Sequence, residues 1–355
     1  GRKGSPYATD TLLSLVNENF IKENKLAADL LMCCGEIISS VVMSSDMSSK
    51  NIDAFPMTGG QAGVITNKNF GEATLISTNE KEILDVISQG RVPVVTGFQG
   101  ITENGYFTTL GRGGSDTTAS ILGVMLDAER IEIYTDVDGV MTADPRIVKS
   151  ASVIDIISYD EVFQLADQGS KVIHPKAIEY AREGNIPIMI KNTLNDTIGT
   201  LINNVGDRKK RRLITSITNH DDRIQVTLNL DDNKGNDRYN DVLEIIAANK
   251  ISLDLINIFP RQQVFTISKA AKDIVKDIFD KLNLKYTLID DCSTIALVGA
   301  GMKGIPGVMA KIYKTLSDSN IEVLQTADSH MTIWCLIHTE NLEKAINALH
   351  KAFKL

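Results

Sequence analysis

The stretch TTLGRGGSDTTASILGVMLDAERIEIYTDVDGV, residues 108–140, carries the alternation that decides the fold. SDTTASILGVMLDA has the apolar spacing of a helix, and RIEIYTDVDGV is a β-branched strand that runs out into acids and hydroxyls. Outward from it the same alternation continues. LAADLLMCCGEIISSVVMSSDM upstream reads as a helix and RVPVVTGFQGI as a strand. Downstream, EVFQLADQGS is a helix closing on Gly169, AIEYAREGN a helix closing on Gly184 and Asn185, and IPIMIKNT a buried strand. From about residue 26 to 202 this order implies an α/β layered domain with a largely parallel sheet.

After a basic run at 208–212 the pattern changes to two shorter units that resemble each other. The first holds RIQVTLNL, YNDVLEIIAANK, ISLDLINIF, QQVFTIS, KDIVKDIFDKLN and KYTLIDD; the second holds STIALVGAG, VMAKIYKTLSDSN, IEVLQTADS, MTIWCLIH and NLEKAINALHKAF. Both read β-α-β-β-α, a duplicated ferredoxin-like βαββαβ unit. Each such unit has an open sheet edge, so pairing two of them, within a chain or across a dimer, is the expected cover.

At 355 residues the chain exceeds one ordinary core. A net charge of -8 and a pI near 5.3 give no electrostatic reason to hold nucleic acid, and the RKKRR run reads as a solvated domain joint. Four cysteines, Cys33, Cys34, Cys292 and Cys335, show neither a metal-ligand spacing nor a disulfide framework, which fits a reducing cytoplasm. No apolar run is expected to reach the roughly 18 to 20 residues that cross a bilayer, so no membrane partner is expected, and GRKGSPYATD has no signal-peptide core. The absence of a starting Met implies residues upstream.

The GRGGSDTT turn places Gly111, Gly113 and Gly114 where backbone N–H groups can approach a ligand, with Ser115 or Asp116 able to cap the following helix. Arg112 adds a guanidinium suited to a carboxylate. Asp116 is awkward for a pure phosphate site; it suits an ammonium ligand, a metal, or only a cap. The Walker lysine is missing. TDVDGVMTADPR, with Thr135, Asp136, Asp138, Asp144 and Arg146, lies beyond the carboxyl end of a strand, where nucleotides bind in open α/β sheets, although Asp-Gly and Asp-Pro turns alone would produce the same residues. In GSKVIHPKA, Lys171 could reach a phosphate, whereas His174 before Pro175 reads as a structural residue at a helix start. Glu36 in MCCGEIISS is either exposed on a polar helix face or placed for an ammonium group.

TTLGRGGSDTTA, CGEIIS, TDVDGVMTADPR and GSKVIHPKA, together with a duplicated βαββαβ tail, closely resemble the aspartokinase family, in its monofunctional form. The resemblance implies an amino-acid-kinase-like α/β/α sandwich with a mainly parallel central sheet over 1–207, a basic linker at 208–212, and two ACT regulatory modules at 213–290 and 291–355, with strand 213–218 able to pair into the second. It implies ATP-dependent phosphorylation of the L-aspartate side-chain carboxylate, the first step toward lysine, threonine and methionine, in the cytoplasm. Arg112, Gly113, Gly114 and Ser115 would hold the substrate, Arg112 on its α-carboxylate; Glu36 would take its ammonium, with Thr9 and Phe98 nearby. Thr135, Asp136, Met141, Arg146, Lys171 and Val172 would hold ATP, with Mg2+ on the β- and γ-oxygens; Met141 departs from the tyrosine often found there. Asp116 and Lys171 would act at the charged centre. A feedback amino acid, lysine alone or with threonine, would bind around Asn240, Asp241, Leu255, Ile256 and Asn257, in a homodimer or homotetramer joined through ACT modules. The family's opening strand and KFGGTS-type turn are not in this sequence, which leaves open a non-catalytic amino-acid sensor, or a related kinase acting on glutamate or acetylglutamate.

Overall fold

The computed structural model describes residues 8–170, 172–207, 212–229, 237–302 and 305–355, with backbone alone for 237–241. Lys171, most of the basic joint, and the side chains of Asn240 and Asp241 therefore lie outside the described residues. The chain divides into two compact units: Gly1–Gly139 with Asp155–Ala166 and Lys171–Gly206, and Val140–Ile154 with Asp167–Ser170 and Asp207–Leu355.

The first unit runs α1 (Thr9–Leu13), α2 (Glu18–Glu23), α3 (Lys25–Ser49), β1 (Ala54–Met57), β2 (Val64–Thr66), β3 (Leu75–Thr78), α4 (Lys81–Ser88), β4 (Val92–Val95), β5 (Gln99–Thr102) and β6 (Phe107–Thr109). It continues through α5 (Gly114–Met125), β7 (Ile131–Thr135), β8 (Ile156–Ser158), α6 (Tyr159–Asp167), α7 (Pro175–Glu183), β9 (Ile188–Asn192) and β10 (Thr200–Asn203). Its strands form a parallel β1-β4 pair, a β7-β9-β10-β8 sheet and a β3-β2-β5-β6 sheet. β7 and β9 are parallel and in register from Ile131↔Ile188 to Thr135↔Asn192, so their polar carboxyl ends lie side by side. The fold is the expected α/β type, with helices packed on mixed sheets whose β1-β4, β2-β5, β7-β9 and β8-β10 pairs are parallel.

Two local expectations change. RVPVVTGFQGI is two strands in separate sheets, because Phe98 turns into left-handed backbone at φ 69. That conformation costs a non-glycine residue about 1–2 kcal/mol; here the Phe98 N–H donates to Thr118 Oγ1 at 3.0 Å and its carbonyl accepts from Leu110 N at 2.9 Å. α7 closes on Gly184 and Asn185 as expected, Asn185 being the left-handed residue (φ 53) while Gly184 stays helical. Gly184 serves packing instead: a Cβ there would meet Val124 of α5 at 2.5 Å. The second change concerns α3, which at 25 residues and a mean hydropathy of 1.8 is long and apolar enough to cross a membrane by length and composition. It packs against β1, β4 and β6 through a stripe with polar anchors. Along it Asp29 is fully buried, the Cys33 carbonyl accepts from Gln99 Nε2, and Ser40 Oγ donates to the Val94 carbonyl at 3.0 Å.

The second unit holds the Val140–Ile154 hairpin, β11 (Ser216–Asn229), α8 (Asp237–Ala248), β12 (Asp254–Phe259), β13 (Gln262–Ser268), α9 (Lys272–Lys281), β14 (Lys285–Val298), α10 (Val308–Asp318), β15 (Gln325–Asp328), β16 (Thr332–His338) and α11 (Leu342–Phe353). One antiparallel sheet in the order β12-β13-β11-β14-β16-β15 joins both modules. KYTLIDD and STIALVGAG are one strand, β14, rather than two, because the left-handed Asp291 (φ 51) is absorbed as an irregularity in the pairing with β11. Ser216–His220 pairs with Thr294–Val298 of the second module, and Arg223–Asn229 with β13 of the first. Helices α8 and α9 close one core around Val226, Phe265 and Phe279; α10 and α11 close another around Ile295, Ile312 and Leu349.

Candidate active site

In the first unit three backbone segments meet at the start of α5. Gly113 is the residue before the helix, left-handed at φ 68, and a Cβ on it would overlap the His174 ring, 2.2 Å from Cγ. Gly114 is buried, and a Cβ there would lie 3.0 Å from the Phe98 Cα. A Cβ on Gly97 would come 3.2 Å from the Ser115 Cα. Close approach thus requires glycine at both 113 and 114, and at 113 the backbone angle requires it as well. The packing leaves Arg112 and Ser115 exposed, and Arg112 has no ion-pair partner among the described residues.

Asp116, in the first turn of α5, is half-buried. Burial raises its pKa, opposed by a hydrogen bond from the His174 backbone N–H and by the imidazole's charge. His174 caps α7, its Nδ1 accepting from Lys176 N at 3.3 Å, and burial and Lys176 push its pKa down against the pull of Asp116. His174 is therefore the structural residue expected at a helix start, and also the wall on which the GRGG turn rests.

α3 supplies the opposite side of the arrangement. Asp29 Oδ2 accepts from Gly71 N and Thr109 N, both at 2.9 Å, and its Oδ1 from Thr109 Oγ1 at 2.8 Å. This buried carboxylate locks α3 to the last residue of β6, just before Leu110 and the glycine turn. Cys33 and Glu36 follow on the same helix stripe, one and two turns on. The Cys33 thiol is pushed up to about 12 by burial, with the Asp29, Cys34 and Glu36 charges adding to it. Glu36 is half-buried and has no hydrogen-bond or ion-pair partner among the described residues. Thr9 is exposed at the start of α1, which packs on α3. Sequence reasoning missed Asp29 and Thr109; an acid one turn before Cys33 in an apolar helix was the available signal.

The residues expected to hold ATP are divided between the units. Thr135 and Asp136 follow β7 in the first, where the Thr135 carbonyl accepts from Thr193 N at 2.8 Å. Beside them Asp138 Oδ1 accepts from Asn192 and Asn195 Nδ2 at 2.7 and 2.8 Å, which lowers its pKa. Val172 is half-buried in the same unit. Met141 and Arg146 belong to the hairpin of the second unit, where Arg146, its side chain 88% exposed, forks onto Asp144 at 2.6–3.0 Å. Also in the second unit, Leu255 and Ile256 help line a cavity of about 500 Å3 with Arg223, Asp254, His220 and Trp334. Asn257 is engaged elsewhere, its Oδ1 accepting from Gln325 Nε2 at 2.6 Å.

Residues 5–192 match the model of the amino acid kinase family, and residues 287–351 match an ACT domain. Aspartokinase 1 of Bacillus subtilis is 41% identical over 360 residues, covering 100% of this chain and 89% of that protein. The chain belongs to the aspartokinase family. Aspartokinase 2 of the same organism is 32% identical, covering 98% of this chain and 87% of its own length. Among solved aspartokinases, the Clostridium acetobutylicum enzyme superposes with a TM-score of 0.79 at 25% identity over 97% of this chain and 82% of its own. Escherichia coli aspartokinase III, in a complex with aspartate and ADP, gives 0.75 at 26% identity over 93% and 76%. The chain is thus an amino-acid kinase of aspartokinase type carrying ACT regulatory modules, the fold and class that its glycine turn and duplicated tail implied.

Proposed function

We propose that the chain transfers the γ-phosphoryl group of ATP to the side-chain carboxylate of L-aspartate, with Arg112 as the clamp on the substrate α-carboxylate. The observation that carries the reading is the pair of unmatched charges in the first unit: an exposed guanidinium on a rigid glycine turn, and a half-buried Glu36 carboxylate on α3. An amino-acid zwitterion has complementary charges for both. Gly113, Gly114 and Ser115 offer backbone and hydroxyl groups at the helix start, and Phe98 and Thr9 complete the substrate side.

The nucleophile is a carboxylate already ionised at neutral pH, so no general base is required. Catalysis is then positioning and charge neutralisation, the usual division of labour in phosphoryl transfer. Thr135, Asp136, Met141, Arg146, Lys171 and Val172 hold the nucleotide, a role supported for Thr135 and Asp136 by their place at the carboxyl ends of parallel β7 and β9. Lys171 reaches the phosphates as a mobile positive charge, and Asp116 helps to organise the charged centre beside them. Among the described residues no cluster of three acidic, histidine or cysteine side chains could cage a metal. Mg2+ would enter with the nucleotide and supply charge neutralisation at the phosphates, an ion that keeps several waters and takes only one or two protein carboxylates.

The ACT modules bind a feedback amino acid, lysine alone or with threonine, near α8 and β12. β12 is a sheet edge whose Ile256, Ile258 and Phe259 are 47%, 65% and 50% exposed, which favours a homodimer or homotetramer that covers it. Steady-state kinetics of Arg112→Ala test the clamp. Loss of a charge-assisted pair worth about 1.5–3 kcal/mol should raise the aspartate KM about 10- to 100-fold and leave the ATP KM within about twofold. Unchanged aspartate kinetics would sink the assignment.

A further inference from the structure

The hairpin Val140–Ile154 packs with the regulatory unit rather than with the unit that holds the rest of the TDVDGVMTADPR motif. Its two strands are joined by a Met141↔Val153 bridge and by hydrogen bonds from Thr142 N to Ser152 O and Ile154 N to Val140 O, at 2.9 and 2.8 Å. Three side chains of the second unit then grip it. Ser216 Oγ donates to the Met141 carbonyl at 2.8 Å, Asn347 Nδ2 donates to the Ile147 carbonyl at 3.1 Å, and His350 Nε2 lies 2.9 Å from Thr142 Oγ1. Ala143 and Val148 are buried in the same core as Ile346 and Leu349 of α11.

His350 is the innermost of these groups, 2% exposed. The Thr142 hydroxyl oxygen already accepts from Ser152 N at 3.0 Å, which leaves its proton for the imidazole. A neutral ring can receive it, and burial together with Arg212 favours the neutral form. One hydroxyl thereby fixes both the hairpin's own closure and its attachment to α11. The hairpin also carries the half-buried Met141 and the exposed Arg146.

We propose that His350 and Asn347 of the last helix are positioning residues for the nucleotide, acting through the hairpin that carries Met141 and Arg146. This rests on the reading above that those two residues contact ATP. On that basis the regulatory unit contributes to ATP affinity through the hairpin it holds, and leaves aspartate binding to the first unit.

The test is steady-state kinetics of the full-length enzyme carrying His350→Leu, His350→Gln, Asn347→Ala or Arg146→Ala, each checked by thermal unfolding. His350→Leu should raise the ATP KM about five- to twentyfold, with the aspartate KM and kcat within about twofold. His350→Gln, whose amide oxygen can take the place of Nε2, should restore most of the ATP affinity, and Asn347→Ala should show a smaller rise of the same kind. Equal losses in both KM values and kcat, or an unchanged ATP KM in folded His350→Leu, overturn the proposal; if His350→Leu does not fold, Asn347→Ala decides in the same way. Arg146→Ala separates the two levels. An unchanged ATP KM there means that the nucleotide reading of the hairpin has failed, whereas a raised one beside an unaffected His350→Leu means that the positioning role alone has failed.

Discussion

At the scale of single residues, the site is held by groups that do no chemistry. Asp29 accepts three hydrogen bonds in a fully buried position, two of them from backbone N–H groups. Asp29→Asn would turn an amide toward donors and forfeit the charge, so a loss of about 2–5 kcal/mol is expected in urea unfolding. A loss below about 1 kcal/mol would show that the carboxylate is not the lock on β6. Gly113→Ala faces both left-handed backbone, costing about 1–2 kcal/mol, and overlap with the His174 ring. It should unfold at clearly lower urea than wild type and lose aspartate affinity with it, and a wild-type urea midpoint would count against the close approach. The motif glycines were legible in the sequence because their spacing is local. Asp29 was not, because its partners Gly71 and Thr109 lie 42 and 80 residues away.

At the scale of elements, periodicity located the helices and strands of the second unit and α3, α5, α6, α7, β7 and β9 of the first; it left the short α1, α2, α4, β1, β2, β3, β6, β8 and β10 unnamed, and it failed where one backbone angle reassigns a run. Phe98 splits an apolar stretch into β4 and β5, whereas Asp291 leaves β14 whole. Neither outcome is encoded in hydrophobicity; both depend on which partner strands are present. α11 carries its own test. His350 has a folded pKa below the ordinary histidine value of about 6.5, so the unfolded chain binds more protons in the window below that value. The stability it contributes is present above about pH 6.5 and is lost progressively as the pH falls from there toward its folded pKa. Urea unfolding between pH 7 and pH 5 should therefore show a shallower loss in His350→Gln than in wild type. A residual slope is expected, because His174 is depressed in the same direction. Identical slopes would show that His350 is not buried neutral.

At the scale of the whole molecule, a duplicated tail signalled regulation and a glycine turn signalled the kinase, and the family relationship joins the two. What sequence pattern could not supply was the division of labour: residues 140–154 are continuous with the catalytic motif in the chain, yet they pack with the regulatory modules. If Met141 and Arg146 hold ATP as proposed, such a division would give a feedback amino acid a physical route to the nucleotide. An effector that prefers one arrangement of the ACT modules by about 1–3 kcal/mol could bias the hairpin by at most that amount. Calorimetry on the full-length protein should detect binding of lysine, or of lysine with threonine, and weaker ATP binding once the effector is present; no heat from either amino acid would argue against this effector class. The central claim is the identity of the phosphoryl acceptor. ADP release measured by a coupled assay, with L-aspartate, L-glutamate and N-acetyl-L-glutamate offered in turn to the full-length enzyme, tests it most directly. Turnover with L-aspartate and little or none with the other two is the predicted result; no ADP with L-aspartate, or faster release with either glutamate compound, would contradict it.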